Sequence, residues 1–181
     1  MAWWRRSVSP YSGGTVPDFH RSSLTARRLE RESSIERLQA IALDLDAVLA
    51  DTLPLWKDWL VDVARRTHVE LDLPDDRIGA AAVLDERLGD WRPLLQRFAD
   101  DRAPIHFRPR AETNAQLRRL QAAGVRIGVF TDAPRELADI ALAHVGAARR
   151  VAAVGTLDEV LAQLGGDAVV VHSQKELASL R

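Results

Sequence analysis

The chain has 181 residues, 46% hydrophobic and 28% charged, which is ordinary for one globular domain with a substantial core. It contains no cysteine, so disulfides, thiolate catalysis and cysteine-ligated zinc are excluded. The formal net charge of −1 gives no reason to expect a nucleic-acid partner, and no apolar run approaches the roughly 18–20 residues that span a bilayer. We therefore expect a cytoplasmic protein without nucleic-acid or membrane partners. The oligomeric state stays open.

Residues 1–34 are rich in Ser, Gly, Pro and Arg and show no sustained apolar period. This composition predicts a disordered or loosely attached N-terminal extension. Trp3, Trp4 and the neighbouring arginines leave open an arm that binds lipid or nucleic acid. A poorly ordered tail is the preferred interpretation.

An apolar run at residues 40–47 predicts a buried strand of the parallel type, and it carries Asp44 and Asp46 as it ends. Residues 51–54 (DTLP) supply capping side chains and a proline suited to a first helical turn. The helix that follows is expected to bury Leu55, Trp56, Trp59, Leu60 and Val63.

Residues 70–104 are interrupted by helix breakers, with short amphipathic pieces around residues 78–88 and 91–98. This pattern predicts a small helical insertion and not a continued alternation of strand and helix. The aromatic side chains of this region are interpreted as its hydrophobic core and not as a substrate box; they are Trp56, Trp59, Trp91 and Phe98.

The second half of the chain alternates helices and strands. Helices are predicted at residues 111–123, from Pro134 to about His144, and at 157–164, and strands at 125–130, 151–154 and 168–171. Such alternation implies right-handed crossovers and a parallel sheet, so the fold class is α/β.

Polar residues follow two of the predicted strands: Asp44 and Asp46 after the first, Thr131 and Asp132 after the second. Ligands of parallel sheets bind beyond the carboxyl ends of strands. One carboxylate could attack a metal-neutralised phosphoryl group, the second could move protons, and Mg²⁺ suits such hard oxygen ligands. The residues therefore predict a phosphoryl-transfer site. Two simpler interpretations stay open: Asp44 and Asp46 cap the next helix, and Thr131 is a helix N-cap.

The segments DLDAVLADT and VRIGVFTDAP, in this order, resemble the first and second motifs of the haloacid dehalogenase (HAD) superfamily, in its phosphoglycolate-phosphatase-like branch. The resemblance covers about residues 39–145. It implies a Rossmann-like three-layer parallel sheet (HAD-like), at residues 35–53 and 105–181, with a small helical cap inserted after the first strand at 54–104.

The resemblance also implies roles for single residues. Asp44 would be the nucleophile that forms an aspartyl-phosphate, Asp46 the general acid/base, and Thr131 a phosphate-binding hydroxyl, with Asp132 and Arg135 beside it in substrate binding. Magnesium would be bound by Asp44, Asp46 and Glu176. The substrate would be a small phosphorylated metabolite. Paired acids in the first motif favour a phosphatase over a carbon–halogen hydrolase.

Two features depart from the family pattern. No lysine lies between Thr131 and Lys175, where the third motif places one, and the candidates to replace it are Arg135, Arg149, Arg150 and the late Lys175. In the fourth motif, VVVHSQKEL carries His172 and Glu176 where two metal-binding acids belong, and both also fit as ordinary surface residues. Two hypotheses follow: a Mg²⁺-dependent phosphatase, or a catalytically impaired HAD-fold binding or regulatory protein.

Overall fold

The computed structural model describes residues 38–68 and 72–180. The predicted N-terminal extension at 1–34 lies outside the described residues. Within the described part, none of the helices combines the length and the apolar character that a membrane span requires.

A sheet of four parallel strands forms the centre of the fold, in the order β3-β2-β1-β4. The predicted α/β class with a parallel sheet is thus confirmed. The strands are β1 (Ala40–Asp44), β2 (Arg126–Phe130), β3 (Val151–Gly155) and β4 (Val169–Val171).

Strand β1 is shorter than its apolar run, because it ends at Asp44 and a π-helical turn, Leu45–Leu49, follows. The Asp44 carboxylate accepts a hydrogen bond from the backbone N–H of Ala47 at 3.1 Å, which satisfies a donor at the start of the turn. The prediction of a strand through residue 47 was therefore wrong by three residues. The run is apolar because the turn is buried too, with Leu45 and Val48 fully enclosed.

The predicted helices are present, but one is longer than predicted, and the short helix Gln174–Ser179 was not predicted. The helix predicted around residues 91–98 begins at Arg92, with Pro93 in its first turn, where a backbone donor is not needed, and it continues through Pro104 to His106. The helices are α1 (Leu53–Thr67), α2 (Arg77–Leu88), α3 (Arg92–His106), α4 (Ala111–Ala122), α5 (Arg135–His144), α6 (Leu157–Leu164) and α7 (Gln174–Ser179), with a 3₁₀ turn at Ala148–Arg150.

The two faces of the sheet are covered separately, which gives three layers. Ile41 and Leu43 of β1 belong to a large core shared with every helix except α6. Ala40 and Ala42, on the other face, pack with the buried side of α6 in a smaller cluster. Successive side chains of a strand point to opposite faces, which explains the alternation.

Gly128 of β2 permits the close approach of α6 to the second face. A Cβ at this position would lie 2.5 Å from Val160 Cγ1 and 2.8 Å from Leu164 Cδ1. Any side chain here would therefore push α6 away from the sheet.

Helices α1, α2 and α3, which follow the first strand, share the large core with the sheet. Trp56, Trp59 and Trp91 are buried and pack against one another, with ring centroids 5.2 to 6.0 Å apart. Phe98 is partly buried against the same cluster. The interpretation of these aromatics as core residues is confirmed.

Candidate functional site

Four of the residues predicted to form a site line one cavity of about 370 Å³, which we call the acidic cavity. They come together because β1 and β2 are neighbours in register, with Asp44 opposite Phe130, so the residues after each strand meet at the carboxyl edge. The lining residues are Asp44, Asp46, Ile78, Phe130, Thr131, Asp132, Thr156 and Leu157.

Asp44 both supports the backbone and lines this cavity. Its Oδ1 accepts the bond from Ala47 N, as the capping interpretation expects. Its other carboxylate oxygen has no hydrogen-bond partner among the described residues. One oxygen is thus used in local structure while the second is open to a ligand.

Asp46 has donors at both carboxylate oxygens. Oδ1 accepts from the backbone N–H and from the hydroxyl of Thr52, each at 2.6 Å. Oδ2 accepts from Arg77 Nη2 at 2.5 Å and from the Thr131 hydroxyl at 3.4 Å. Burial raises the pKa of Asp46, but the bonds from Arg77 and Thr52 outweigh it, so the pKa lies below its ordinary value.

Arg77 is the functional residue that sequence reasoning missed. It is the first residue of α2, only 6% exposed, and its guanidinium joins the ends of β1 and β2. Nε donates to Asp132 Oδ1 at 2.9 Å, Nη1 to Thr52 Oγ1 at 2.7 Å, and Nη2 to both Asp46 and Asp132. Burial opposes the charge, but the bonds to Asp132 and Asp46 raise the pKa of Arg77 above its ordinary value.

One sequence signal could have identified Arg77. It stands three residues before Ala80 and seven before Leu84, and these are the buried positions of α2. An arginine on the apolar face of a helix must find acceptors inside the protein, since burying an unpaired charge is costly.

Thr131 stabilises the turn between β2 and α5. Its backbone N–H donates to Gly155 O at 2.9 Å, and its hydroxyl accepts from Ala133 N at 3.0 Å. The N-cap of α5 is Pro134, so the interpretation of Thr131 as a helix N-cap was wrong. The turn carries the Thr131 side chain toward Asp46 instead.

The four cations considered as substitutes for the family lysine do not line the acidic cavity. Arg135 binds Asp139 at 2.8 and 2.9 Å and the Val154 carbonyl oxygen at 3.2 Å. Arg150 donates to the Gly146 carbonyl oxygen, and Arg149 and Lys175 are exposed. Arg77, from α2, binds two of the carboxylates of the cavity, Asp46 and Asp132.

His172 and Glu176 form a cap at the start of α7. Glu176 Oε2 accepts from the backbone N–H of His172 at 2.8 Å, and this bond lowers the pKa of Glu176. Glu176 N donates to the Ser173 hydroxyl at 3.2 Å. Both His172 and Glu176 are exposed, and neither lines the acidic cavity.

The carboxylate oxygens of the acidic cavity could bind a magnesium ion through few protein ligands. They do not form a site in which three carboxylates hold the ion. The described residues contain no group of three or more His, Asp or Glu side chains that could hold a metal ion. Asp46 is occupied by Arg77 and Thr52, and Glu176 caps α7. Asp44 offers its carboxylate alone, which fits an ion that keeps most of its waters.

A second cavity, of about 430 Å³, adjoins the acidic cavity. Ile78, Thr131, Asp132 and Thr156 line both, while Arg77 and Arg135 line the second one only. Trp91 and two alanines of α2, Ala81 and Ala82, form apolar parts of its wall. A small molecule could place one end in each cavity.

No protein-family model matches the chain, and no curated protein matches it in sequence. The resemblance to the HAD superfamily therefore rests on the two motifs and on the positions that their residues occupy.

Proposed function

We propose that the chain is a HAD-like hydrolase, a Mg²⁺-dependent phosphatase that acts on a small phosphorylated metabolite through an aspartyl-phosphate at Asp44. One observation carries this proposal. Asp44 and Asp46, from the first motif, line the same cavity as Thr131 and Asp132, which come from the second motif more than eighty positions later.

In the proposed reaction, the open oxygen of Asp44 attacks phosphorus. The Thr131 hydroxyl, at the same cavity wall, holds a phosphoryl oxygen. The resemblance assigns the proton transfers to Asp46. A magnesium ion would share the Asp44 carboxylate through Oδ1, which has a lone pair besides the one that accepts from Ala47 N, and it would neutralise charge on the phosphoryl oxygens.

The substrate end that does not react would lie in the second cavity. Arg135, predicted to bind substrate, lines that cavity, where its guanidinium is fixed by Asp139. The volume of about 430 Å³ suits a small metabolite.

Phosphate release with Mg²⁺, wild type against Asp44→Asn, tests the proposal. Asparagine can still accept the bond from Ala47 N, so the variant keeps its fold while losing its nucleophile. We expect turnover to fall by about 10³-fold or more. Equal rates in the two proteins would remove the proposal.

The alternative is a catalytically impaired HAD-fold protein with a binding or regulatory role. The observation that favours it is the pairing of Asp46 with Arg77 and Thr52, because a carboxylate with donors at both oxygens is a poor proton donor. Under this alternative, no phosphate compound is hydrolysed, and a clear rise of the melting temperature with Mg²⁺ or beryllium fluoride would count against it.

A further inference from the structure

Resting on the proposed function, we infer that the organic part of the substrate carries no negative charge of its own. The substrate class is then a phosphate monoester with an uncharged organic group, and the site discriminates against esters that bear a carboxylate or a second phosphate. The inference follows from the way in which the charges around the second cavity are paired.

Carboxylates outnumber cationic side chains among the described residues that line the two cavities. Six carboxylates line one cavity or both, and three guanidinium groups line the second one. A cavity wall with an excess of one sign of charge repels ligands of that sign. The carboxylates are Asp44, Asp46, Asp85, Asp132, Glu136 and Glu159, and the arginines are Arg77, Arg92 and Arg135.

Two of the arginines, Arg77 and Arg135, are paired with carboxylates. Arg77 donates to Asp46 and Asp132. Arg135 Nε lies 2.8 and 2.9 Å from the two oxygens of Asp139, one turn further along α5. A second anion in the substrate would have to compete with these carboxylates. A neutral oxygen needs only a hydrogen-bond donor, which a paired guanidinium can still supply because it carries five N–H groups.

Arg92 is shared between two carboxylates. It donates to both oxygens of Asp85, with Nη2 3.1 Å from Oδ2, and its Nε lies 3.8 Å from Glu136 Oε1. The bonds from Arg92 and from the Trp91 indole lower the pKa of Asp85, so this carboxylate is ionised at neutral pH. The other oxygen of Glu136 is buried and has no hydrogen-bond partner among the described residues. Glu136 therefore adds negative charge that Arg92 balances only in part.

Helices α5 and α6 begin at the wall of the second cavity, and the positive end of a helix normally attracts anions. At α6, Glu159 occupies this end, because its Oε2 accepts from the backbone N–H of Thr156 at 2.9 Å in the capping box. At α5, Glu136 lies in the first turn. Each helix thus has a carboxylate of its own at its positive end, and neither adds a free positive charge for a second anion.

The rest of the wall suits an uncharged group. Ile78 and Trp91 give it apolar surface on one side, and Ala133 and Pro134 on the other. An uncharged group gains stability by burying such surface. Burying a charge beside it without an unpaired partner would be costly.

The test uses two alkyl phosphates that differ only in the charge of the far end, 3-carbamoylpropyl phosphate and 3-carboxypropyl phosphate. Phosphate release by the full chain with Mg²⁺ is measured for both. We expect kcat/KM for the amide to exceed that for the carboxylate by about 10-fold or more, because like charges a few ångströms apart repel strongly near a protein surface. The difference should lie mainly in KM, since the charge is remote from phosphorus.

Two outcomes would contradict the inference in different ways. If the carboxylate is turned over as well as the amide or better, and Asp44→Asn loses both activities, the inference is overturned while the proposed phosphatase stands. If Asp44→Asn matches wild type on both compounds, the proposed function itself fails and the inference falls with it.

Asp139→Asn tests the cause. Asp139 lines neither of the two cavities, and asparagine can still accept from Arg135 Nε, but the guanidinium loses its negative partner. The preference for the amide should shrink by about twofold to fivefold, as expected for an exposed ion pair, through a lower KM for the carboxylate.

Asp62→Asn is the matched control for this variant. Asp62 pairs with Arg66 at 2.7 Å and at the same spacing of four residues, but on α1, and neither residue lines the two cavities. This variant should keep the wild-type ratio. An unchanged ratio in Asp139→Asn, or an equal change in Asp62→Asn, would contradict the role of the paired charges.

Discussion

Arg77 Nη2 lies 2.5 Å from Asp46 Oδ2, although the two residues are 31 positions apart and on different elements. The bond ties the start of helix α2 to the carboxyl edge of the sheet. It also gives Asp46 and Asp132, two of the three carboxylates that line the acidic cavity, a buried positive partner. The geometry of the acidic cavity therefore depends on a residue of the helical insertion.

Arg77→Met should lower the free energy of unfolding by about 1–3 kcal/mol, because several charge-assisted hydrogen bonds are lost. This loss of stability should be smaller than for a fully buried ion pair, because the Asp132 side chain is 49% exposed and can be solvated. Urea unfolding measures it, with Arg87→Met as the control. In a double-mutant cycle, the effects of Arg77→Met and Asp46→Asn should be clearly non-additive. Additive effects would mean that this ion pair contributes nothing measurable.

The pH dependence of stability should differ between wild type and Asp46→Asn. The pKa of Asp46 is lower in the folded protein than its ordinary value of about 3.9, so the unfolded chain binds the proton first as pH falls. The stabilisation by Asp46 is then complete above about pH 5 and is lost as pH falls through the folded pKa. Urea titrations at several pH values should show a constant difference above about pH 5 that shrinks towards pH 3. A difference that grows on acidification contradicts the direction of the shift.

Gly128→Ala should destabilise the protein by about 1–3 kcal/mol, because the new methyl group would overlap Val160 and Leu164 of α6. Val160→Ala in the same protein should recover part of this loss by making room. Thermal melts of the two single variants and the double variant measure the coupling. A double variant whose loss equals or exceeds the sum of the single losses would argue against the contact.

Trp59→Ala should lower the free energy of unfolding by about 3–5 kcal/mol, since the ring is fully buried between Trp56 and Trp91. Helices α1, α2 and α3 share their core with the sheet, so the wild-type chain should unfold in one transition. Far-UV circular dichroism and tryptophan fluorescence should give coincident denaturation curves. If the fluorescence changed at a lower denaturant concentration than the circular dichroism, helices α1, α2 and α3 would unfold separately from the sheet.

Local signals predicted the elements well. Helix α6 begins after Thr156, whose side chain forms a capping box with Glu159, and it ends before Gly165 in a left-handed conformation. Such signals act over three or four residues, so they can be read directly from the sequence. The end of β1 was harder to predict, because Asp44 ends the strand by bonding to Ala47 while the run around it stays apolar.

The site was predicted only in part. Asp44 ends β1, and Asp46, Thr131 and Asp132 follow strands. Parallel strands must bring their carboxyl ends to one edge. Arg135 and Glu176 also follow strands, but each is held by nearby partners, Asp139 for one and the start of α7 for the other. Proximity in sequence to a strand end therefore did not decide which side chains face the cavity.

The sequence by itself determined the order of the elements, the parallel sheet and the acids at its edge, because periodicity, caps and strand direction are local properties. Only the tertiary structure decided the partner of those acids. Arg77 is brought to Asp46 and Asp132 by the packing of the helical insertion into the shared core, and no local rule encodes that approach. A buried guanidinium must be paired, but the sequence does not say with which carboxylate.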